Sequence, residues 1–479
     1  MFDDWRIDEH SDSPIYEQIA DYFRKTIKNG HFVHGDVLPS QRDLCRLFQV
    51  SRPTISKALE MLEYDKLIKI ELRKKAVVQV CQDNCDHAPI KWDEYTRVAS
   101  HVETSEIYKF INYIRSDVNI TNLFESYFGH DFAPYKPMEQ AIESARKNIH
   151  SIDHHSNFDI RGILPLRQTI CNHLAKEEIY ASPSQVVVFD NIQTAYYSIF
   201  QVICGHSVNC YVEEESVFLL DKMLPTCVNF VPVHTDSKGV VPDALLKKLR
   251  TRRKGVLLVE PHFSMPACAT YPIQRKKELL NIASEWSLPI IECETIRDCW
   301  HREKPVISLK AMDVNQNVIH IFSLARPFMI APMAAIIAPE FLVPTLLNVK
   351  LKNSVYSDIF SQMIMEKLLS ENIYSDYMDS VRESIIERCD EVDVLLHKYF
   401  DGLASWTKPT YGVTYRLNFN QSVTECINTL RKEGLLLFPP SFFGSGKNFI
   451  WFCYTGVSVE KLEHALSRIS FHMRRTGKH

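Results

Sequence analysis

Ile15, Ile19, Tyr22, Phe23 and Ile27 recur at helical spacing, which predicts an amphipathic helix from about Pro14 to Lys28. Pro14 suits the first turn of that helix and Gly30 lies just past its end. A loop, Gly35-Asp-Val-Leu-Pro-Ser40, follows. Ser40 is expected to cap a helix over Gln41–Phe48, with Asp43 at the third helical position completing a capping-box-like pair. After a short turn at Gln49-Val50, Ser51 is expected to cap a helix from Arg52 to about Tyr64, with Pro53 tolerated in its first turn. Two short strands, Leu67–Leu72 and Ala76–Val80, flank a basic turn, Arg73-Lys74-Lys75. Helix, short turn, helix and hairpin in that order make a winged helix-turn-helix.

The pattern changes after a polar stretch at 81–105, which reads as a linker. From there apolar strand-like runs alternate with helical stretches. Gln185–Phe189 precedes Thr194–Cys204, Val208–Val212 precedes a helix near Phe218–Leu224, and Gly255–Val259 precedes Arg275–Ser284. Pro289–Cys293, Val318–Phe322 and Met333–Ala338 follow as further strands. Such alternation predicts an α/β unit with a mostly parallel sheet covered by helices. Helices dominate 354–400, where Ile359, Met363, Leu368 and Ile373 form one apolar stripe. Strands at Val413–Leu417 and Phe449–Tyr454 and a last helix over Ser458–Met473 make a smaller α+β part. The expected domains are 1–80, then the linker, then 106–479, with a large part over about 106–375 and a small part over about 376–479.

Composition narrows the function classes. The chain has 479 residues, 45% hydrophobic and 24% charged, ordinary values for a soluble globular protein with two or three domains. A net charge of −4 gives no overall attraction to nucleic acid, so any DNA site must be local. Thirteen scattered cysteines and an acidic start, Met1-Phe-Asp-Asp-Trp-Arg, point to free thiols in a reducing cytoplasm. Cys81, Cys85 and His87 lack a second ligand pair, so a polar linker is favoured there over a metal site. The apolar stretch Phe328–Leu347 is interrupted by Pro332, Pro339, Glu340 and Pro344, which favours a buried strand and loop over a membrane span. Only 14 glycines occur in 479 residues, about 3% against a usual ~7%, which weighs mildly against a phosphate-cradling loop.

Charge in the N-terminal module is concentrated. Residues 1–80 carry 13 basic and 13 acidic side chains, whereas residues 42–75 carry nine basic and five acidic, a local net of +4. The helix beginning at Arg52 would present hydroxyls, an arginine and free backbone N–H groups at its positive end, where phosphate binds. Arg52 is long enough to reach a guanine edge or a phosphate, and Arg42 would clamp the backbone beside it. The expected contacts to a double-stranded DNA operator are Ser40, Arg42, Ser51, Arg52, Thr54, Ser56, Lys57, Arg73, Lys74 and Lys75. The bland alternative is a set of solvated charges on a small helical domain. The residues Ser13-Pro-Ile-Tyr-Glu-Gln-Ile, Gly35-Asp-Val-Leu-Pro-Ser-Gln-Arg-Asp-Leu and Val50-Ser-Arg-Pro-Thr-Ile-Ser-Lys-Ala-Leu resemble the DNA-binding domain of GntR-family repressors. The resemblance implies operator contacts at Arg42, Arg52 and Thr54. The chain departs from that family at Gln49, where glycine is usual, at the wing tip, where Arg73-Lys74-Lys75 replace glycines, and at Ser56, where arginine is frequent.

The C-terminal region resembles fold-type I aminotransferases, as in the MocR subgroup of GntR regulators. The matching stretches are Arg161-Gly-Ile-Leu-Pro-Leu-Arg167, Val259-Glu-Pro-His-Phe-Ser-Met-Pro, Pro289-Ile-Ile-Glu-Cys-Glu-Thr295, Val318–Arg326 and Val381-Arg-Glu-Ser-Ile-Ile-Glu-Arg-Cys-Asp. The resemblance implies a pyridoxal phosphate (PLP) site, yet its key positions are changed. Arg326 stands where the Schiff-base lysine belongs, and a guanidinium, with a pKa above ~12, is no amine nucleophile. Cys293 stands for the aspartate facing the pyridine nitrogen, and Thr295 for the tyrosine facing the cofactor oxygen. Met333 and Trp451 stand for two arginines, one binding phosphate and one substrate carboxylate. Asn191-Ile-Gln-Thr-Ala keeps part of a phosphate loop, and Ser323 reads as a remnant. The expectation is a DNA-binding regulator without a cofactor or catalytic residue, whose aminotransferase-like domain forms a homodimer. A pocket lined by His262, Arg326 and Trp451 would take a small anionic effector. The bland alternative pairs Arg326 with Glu292 or Glu294. The competing functional reading is a PLP-binding regulator or aminotransferase that retains some cofactor binding; a third is a scaffold for protein partners. Incubation with PLP followed by removal of free PLP is expected to leave no imine absorbance at roughly 410–430 nm; a surviving band would overturn the loss of Schiff-base chemistry.

Overall fold

The computed structural model describes the chain outside residues 1–6, 9–10, 12, 30, 33, 71–74, 80–119, 125–127, 152–158, 204–207, 217–227, 252–253, 296–297, 305–306, 324–331, 354–355, 440–447 and 477–479. It divides into two compact units, Met1–His101 and Val102–His479. The expected linker at 81–105, the Cys81/Cys85/His87 group and the helix near Phe218–Leu224 lie outside the described residues. No described helix is long and apolar enough to cross a membrane.

In the first unit, three helices α1 (Ile15–Lys28), α2 (Gln41–Phe48) and α3 (Arg52–Tyr64) precede an antiparallel pair, β1 (Ile68–Lys69) and β2 (Val77–Val78). The helical repeat read from the sequence buries Ile19, Phe23 and Ile27 of α1 against Leu44 and Phe48 of α2 and Ile55, Leu59 and Leu62 of α3. Phe23 and Phe48 meet edge to face, 6.1 Å between ring centres, a geometry that adds to area burial. Arg24 of α1 ties the end of α3 through Asp65, with Nε–Oδ2 at 2.8 Å.

The two helix starts differ. Ser40 caps α2, its hydroxyl accepting from the Asp43 backbone N–H at 3.3 Å and donating to the Asp43 carboxylate at 2.5 Å. Ser51 makes no such cap. Its hydroxyl meets Thr54 Oγ1 at 2.8 Å, which corrects the capping expected at α3. The wing is also more extensive than a hairpin. The segment expected as a plain loop pairs with the second strand: Leu38 N–H donates to Ala76 O, Gly35 N–H to Val78 O and Val78 N–H to Asp36 O, all at 2.8–2.9 Å.

In the second unit, seven strands lie in the spatial order Val186–Phe189, Ala334–Ile337, Val318–Ser323, Ile290–Glu294, Gly255–Val259, Asn209–Glu213 and Asn229–Val233. The Ala334–Ile337 strand runs antiparallel to both its neighbours; the remaining pairs are parallel. Successive residues face opposite sides of the sheet. Thus Val256, Leu258, Ile291, Cys293, Ile319 and Ile321 pack with Ala195, Ile199 and Phe200 of the Ile192–Ile203 helix. Leu257, Val259, Ile290 and Val318 pack with Leu245, Leu249, Leu279 and Ile282 of the Pro242–Thr251 and Ile273–Trp286 helices. Both faces are covered, so these strands read as near-continuous apolar runs.

Ile359, Met363, Leu368 and Ile373 all join one apolar cluster, as the expected stripe requires, but they lie on two helices. Asn372, at φ 56°, separates Ile359–Ser370 from the 28-residue helix Ile373–Phe400. A small antiparallel sheet, Ala404–Ser405, Thr414–Phe419 and Phe449–Cys453, packs with the Val459–Thr476 helix. Thr121–Asn122 pairs in parallel with Leu435–Leu436, so the small part also draws on chain far ahead of the expected boundary at 376.

Gln49 ends α2 in the left-handed region, at φ 56° and ψ 38°, a backbone that suits glycine and burdens other residues by roughly 1–2 kcal/mol. Gln49→Gly is expected to stabilise the first unit by a net ~0.5–1 kcal/mol, because the greater freedom of unfolded glycine offsets part of the gain. Amide hydrogen exchange in α2 and α3 checks it: protection rises about two- to fivefold, and unchanged or reduced protection refutes it.

Candidate functional site

Two regions carry the chemistry. In the first unit, α3 presents Ser51 and Arg52 exposed at its start, with Lys57 exposed one turn on and Thr54 and Ser56 half-buried. Arg52 Nε reaches Gln41 Oε1 of α2 at 3.4 Å, which steadies the guanidinium between the two helices. Lys57 Nζ sits 4.0 Å from the Tyr16 ring centre. Arg42 and Lys75 are exposed and Ser40 is half-buried. The Ser40 hydroxyl is the main reason that the Asp43 carboxyl lies below its usual range, with Arg46 and Lys75 adding to it. Arg73 and Lys74 lie outside the described residues.

In the second unit, the Ile290–Glu294 strand carries two fully buried carboxylates on one face. Register sets Glu292 opposite His320 of the neighbouring strand. His320 Nδ1 is 3.3 Å from Glu292 Oε2, and its Nε2 is 3.8 Å from Glu294 Oε2. His262 Nδ1 is 2.5 Å from Glu294 Oε1, and the buried Lys276 Nζ is 3.3 Å from His262 Nε2. Glu292 also accepts the backbone N–H groups of Leu309 and Lys310 at 2.7 and 2.8 Å. The ligand atoms of Glu292, Glu294 and His320 lie within 4.8 Å of one another. Among the described residues, both glutamates meet histidines and Glu292 also meets backbone amides; Arg326, the partner expected in the bland alternative, lies outside the described residues.

Two clefts open beside these strands. One lies at the carboxyl ends of the Asn209–Glu213 and Gly255–Val259 strands and is walled by Tyr196, Glu213, Glu260, Val212, Leu258 and Met265, among others. Glu213 Oε1 accepts from the Tyr271 hydroxyl at 2.5 Å. Burial pushes the Glu213 carboxyl up to about 7, with Glu260 and Glu215 adding to the rise and the Tyr271 and Ser264 hydroxyls opposing it. The other, much narrower, is lined by His173, Glu294, Thr295, Asp298, Ser323 and Tyr374, among others.

Residues 15–78 match the family described as bacterial regulatory proteins, gntR family. The uncharacterized HTH-type transcriptional regulator YisV of Bacillus subtilis is 25% identical, the match covering 98% of this chain and 98% of that protein. The HTH-type transcriptional regulator NorG of Staphylococcus aureus is 23% identical over 91% of this chain and 99% of its own length. Among solved structures, the multiple substrate aminotransferase of Thermococcus profundus aligns at a TM-score of 0.71 and 20% identity, covering 81% of this chain and all of that one. An archaeal alanine:glyoxylate aminotransferase aligns at 0.70 and 21% identity, covering 77% and 94%. The chain has the MocR-like architecture. A GntR helix-turn-helix domain precedes a domain with the aminotransferase fold.

In this MocR-like chain the positions that resemble a PLP site are scattered into other roles. Cys293 packs in the apolar cluster on the opposite sheet face from Glu292 and Glu294, beside Tyr196, whose phenol burial pushes well above its usual range. Met333 is buried, and its carbonyl accepts from the Ser323 hydroxyl at 2.9 Å. Trp451 is buried with Phe449 against Met265, Cys268 and Phe438. Thr295 is half-buried on the second cleft. A neutral thiol, a thioether and an indole supply no charge for a pyridinium or a phosphate, so these donors do not fit the cofactor. Of the three residues expected to line an effector pocket, His262 and Trp451 are both buried in side-chain clusters, and Arg326 lies outside the described residues.

Sequence reasoning missed Glu213, Tyr271 and the buried acid–histidine group. The alternation Glu292-x-Glu294 inside an apolar strand is the signal that places both carboxylates on one face. For Glu213 the folded value near 7 lies above the unfolded 4.5, so its contribution to stability is complete below about pH 4.5 and is lost as pH rises through 7. Glu213→Gln is therefore expected to match the parent protein at pH 4.5 and to exceed it at pH 8 by about 3 kcal/mol. Denaturant unfolding at both pH values checks this, and a difference independent of pH would contradict it.

Proposed function

We propose that this chain is a sequence-specific, DNA-binding transcription regulator of the cytoplasm, whose aminotransferase-fold domain dimerises and senses a small molecule without Schiff-base chemistry. The observation that carries the reading is the exposed start of α3, where Ser51, Arg52 and Lys57 project from a gntR-family helix-turn-helix. A helix N-terminus attracts phosphate, and an arginine there reads base edges or fixes register. The full-length relatives named as HTH-type transcriptional regulators support a regulatory role for both domains together. The unfitting donors at Cys293, Met333 and Trp451 support the absence of aminotransferase activity. In a dimer, two such modules call for paired half-sites in the operator. Carboxylates on the first cleft argue against the anionic effector expected from sequence, since like charge repels it in a low-dielectric wall.

Arg52→Ala is expected to weaken operator affinity by roughly 1–3 kcal/mol while leaving the fold intact. Footprinting of the purified protein on genomic fragments identifies an operator, and gel-shift titration on it measures the change. Equal affinity of the two proteins would reject the role of Arg52.

A further inference from the structure

The cleft at the ends of the Asn209–Glu213 and Gly255–Val259 strands holds an unsatisfied acceptor. Glu213 is 3% exposed, and although its Oε1 takes the Tyr271 hydroxyl, its Oε2 has no hydrogen-bond partner among the described residues. A buried carboxylate oxygen left unpaired costs more than one that meets a donor, so the site is primed for a ligand that brings an N–H. Of the neighbouring hydroxyls, Ser216 donates to the Met265 carbonyl at 2.7 Å, while Ser264 accepts from the Ala269 N–H at 3.3 Å and favours the charged form of Glu213 without a well-formed hydrogen bond to Oε2. The described wall contains two carboxylates and no basic side chain. Arg416, the cation beside this region, is committed to Glu215 with Nη2–Oε1 at 3.0 Å. Val212, Leu258, Met265 and the Tyr196 ring supply the remaining surface.

These features select the charge and the shape of the occupant. A cation is drawn in and an anion is turned away. A hard divalent ion needs six or more oxygen ligands or a retained water shell, whereas this wall is largely apolar with one unpartnered acceptor. An ammonium group on a short carbon chain matches it, with the charge at the carboxylate and the carbons on the apolar side and the aromatic ring. We propose that this cleft binds a small organic ammonium ion, whose N–H donates to Glu213 Oε2 and whose alkyl chain lies against Val212, Leu258 and Met265. The site serves whether or not the first unit binds DNA, so its test uses no DNA and its failure leaves the operator reading untouched.

Isothermal titration of the purified full-length protein with n-butylammonium chloride tests the proposal, with n-butanol, sodium butyrate and magnesium chloride as controls at matched ionic strength. Saturable binding is expected for butylammonium alone. Because Glu213 is pushed up to about 7 by burial, beside Glu260, Glu215, Tyr271 and Ser264, binding near pH 7 is expected to release protons, seen as heats that vary with the buffer's ionisation enthalpy. Glu213→Gln is expected to weaken affinity at least about tenfold and to abolish the proton release. Glu260→Gln, which alters the field without removing the proposed acceptor, is expected to weaken affinity by a smaller factor and to keep the release; it decides the matter if the first variant does not fold. Absence of saturable heat, equal binding of butanol or butyrate, binding of magnesium in place of butylammonium, or unchanged affinity in the folded variants would each overturn the proposal.

Discussion

The second unit depends on how two carboxylates are accommodated inside a sheet covered on both faces. Glu292 and Glu294 sit on the central strand of the seven, three strands from solvent on either side, and both are buried. An isolated buried carboxylate costs several kcal/mol even after relaxation, roughly, and is tolerated only with partners in good geometry. Register supplies them. His320 stands across from Glu292 because the Val318–Ser323 strand pairs residue for residue with Ile290–Glu294, and a slip by one position would turn the imidazole to the opposite face. The backbone amides of Leu309 and Lys310 close the Glu292 end, while His262 and Lys276 close the Glu294 end. Strand order, strand register and the entry of the Leu309–Met312 helix are thus locked to one polar group.

The same constraint explains why loss of a cofactor's partners need not loosen the fold. Cys293, Met333 and Trp451 are each apolar or neutral and each buried in a well-packed cluster. Replacing charged cofactor ligands by such residues removes buried charges that only a bound anion or pyridinium would balance. The sheet keeps its charged group on the other face, where every carboxylate has a protein partner. A cleft remains at the strand ends because the chain connectivity of a parallel sheet leaves one there whatever the chemistry of its walls. Here Glu213 and Glu260 give that cleft a negative wall.

Much of this architecture was legible in the residues. Parallel strands buried on both faces are continuous apolar runs, so Gly255–Val259 and Val318–Ser323 stand where the runs do, and helical spacing in α1 marks its buried face. Caps were legible in kind but not in partner. Serine precedes both α2 and α3, yet only Ser40 has an acidic residue three positions on, and Ser51 turns to the Thr54 hydroxyl instead. The pairing of Gly35–Leu38 with the wing was hidden because the stretch contains Gly35 and ends at Pro39, which read as loop, while three of its backbone groups still reach Ala76 and Val78. The candidate sites were the least legible. His262 and Glu294 are 32 positions apart and Glu213 and Tyr271 are 58 apart; only strand order brings each pair together.

An arginine at 326, where the resemblance calls for lysine, moves the question from reaction chemistry to binding. Once the amine nucleophile is gone, a ligand can be retained only by charge, hydrogen bonds and fit. Charge favours cations at the first cleft, hydrogen bonding favours a donor at Glu213 Oε2, and fit favours a short carbon chain. A ligand of that kind would shift regulation only through a difference in affinity between two states of the chain, since one that binds both equally shifts nothing. Glu213 ties occupancy to protonation: burial raises its carboxyl, and an arriving ammonium favours the charged form, so binding and proton release are coupled through one carboxylate.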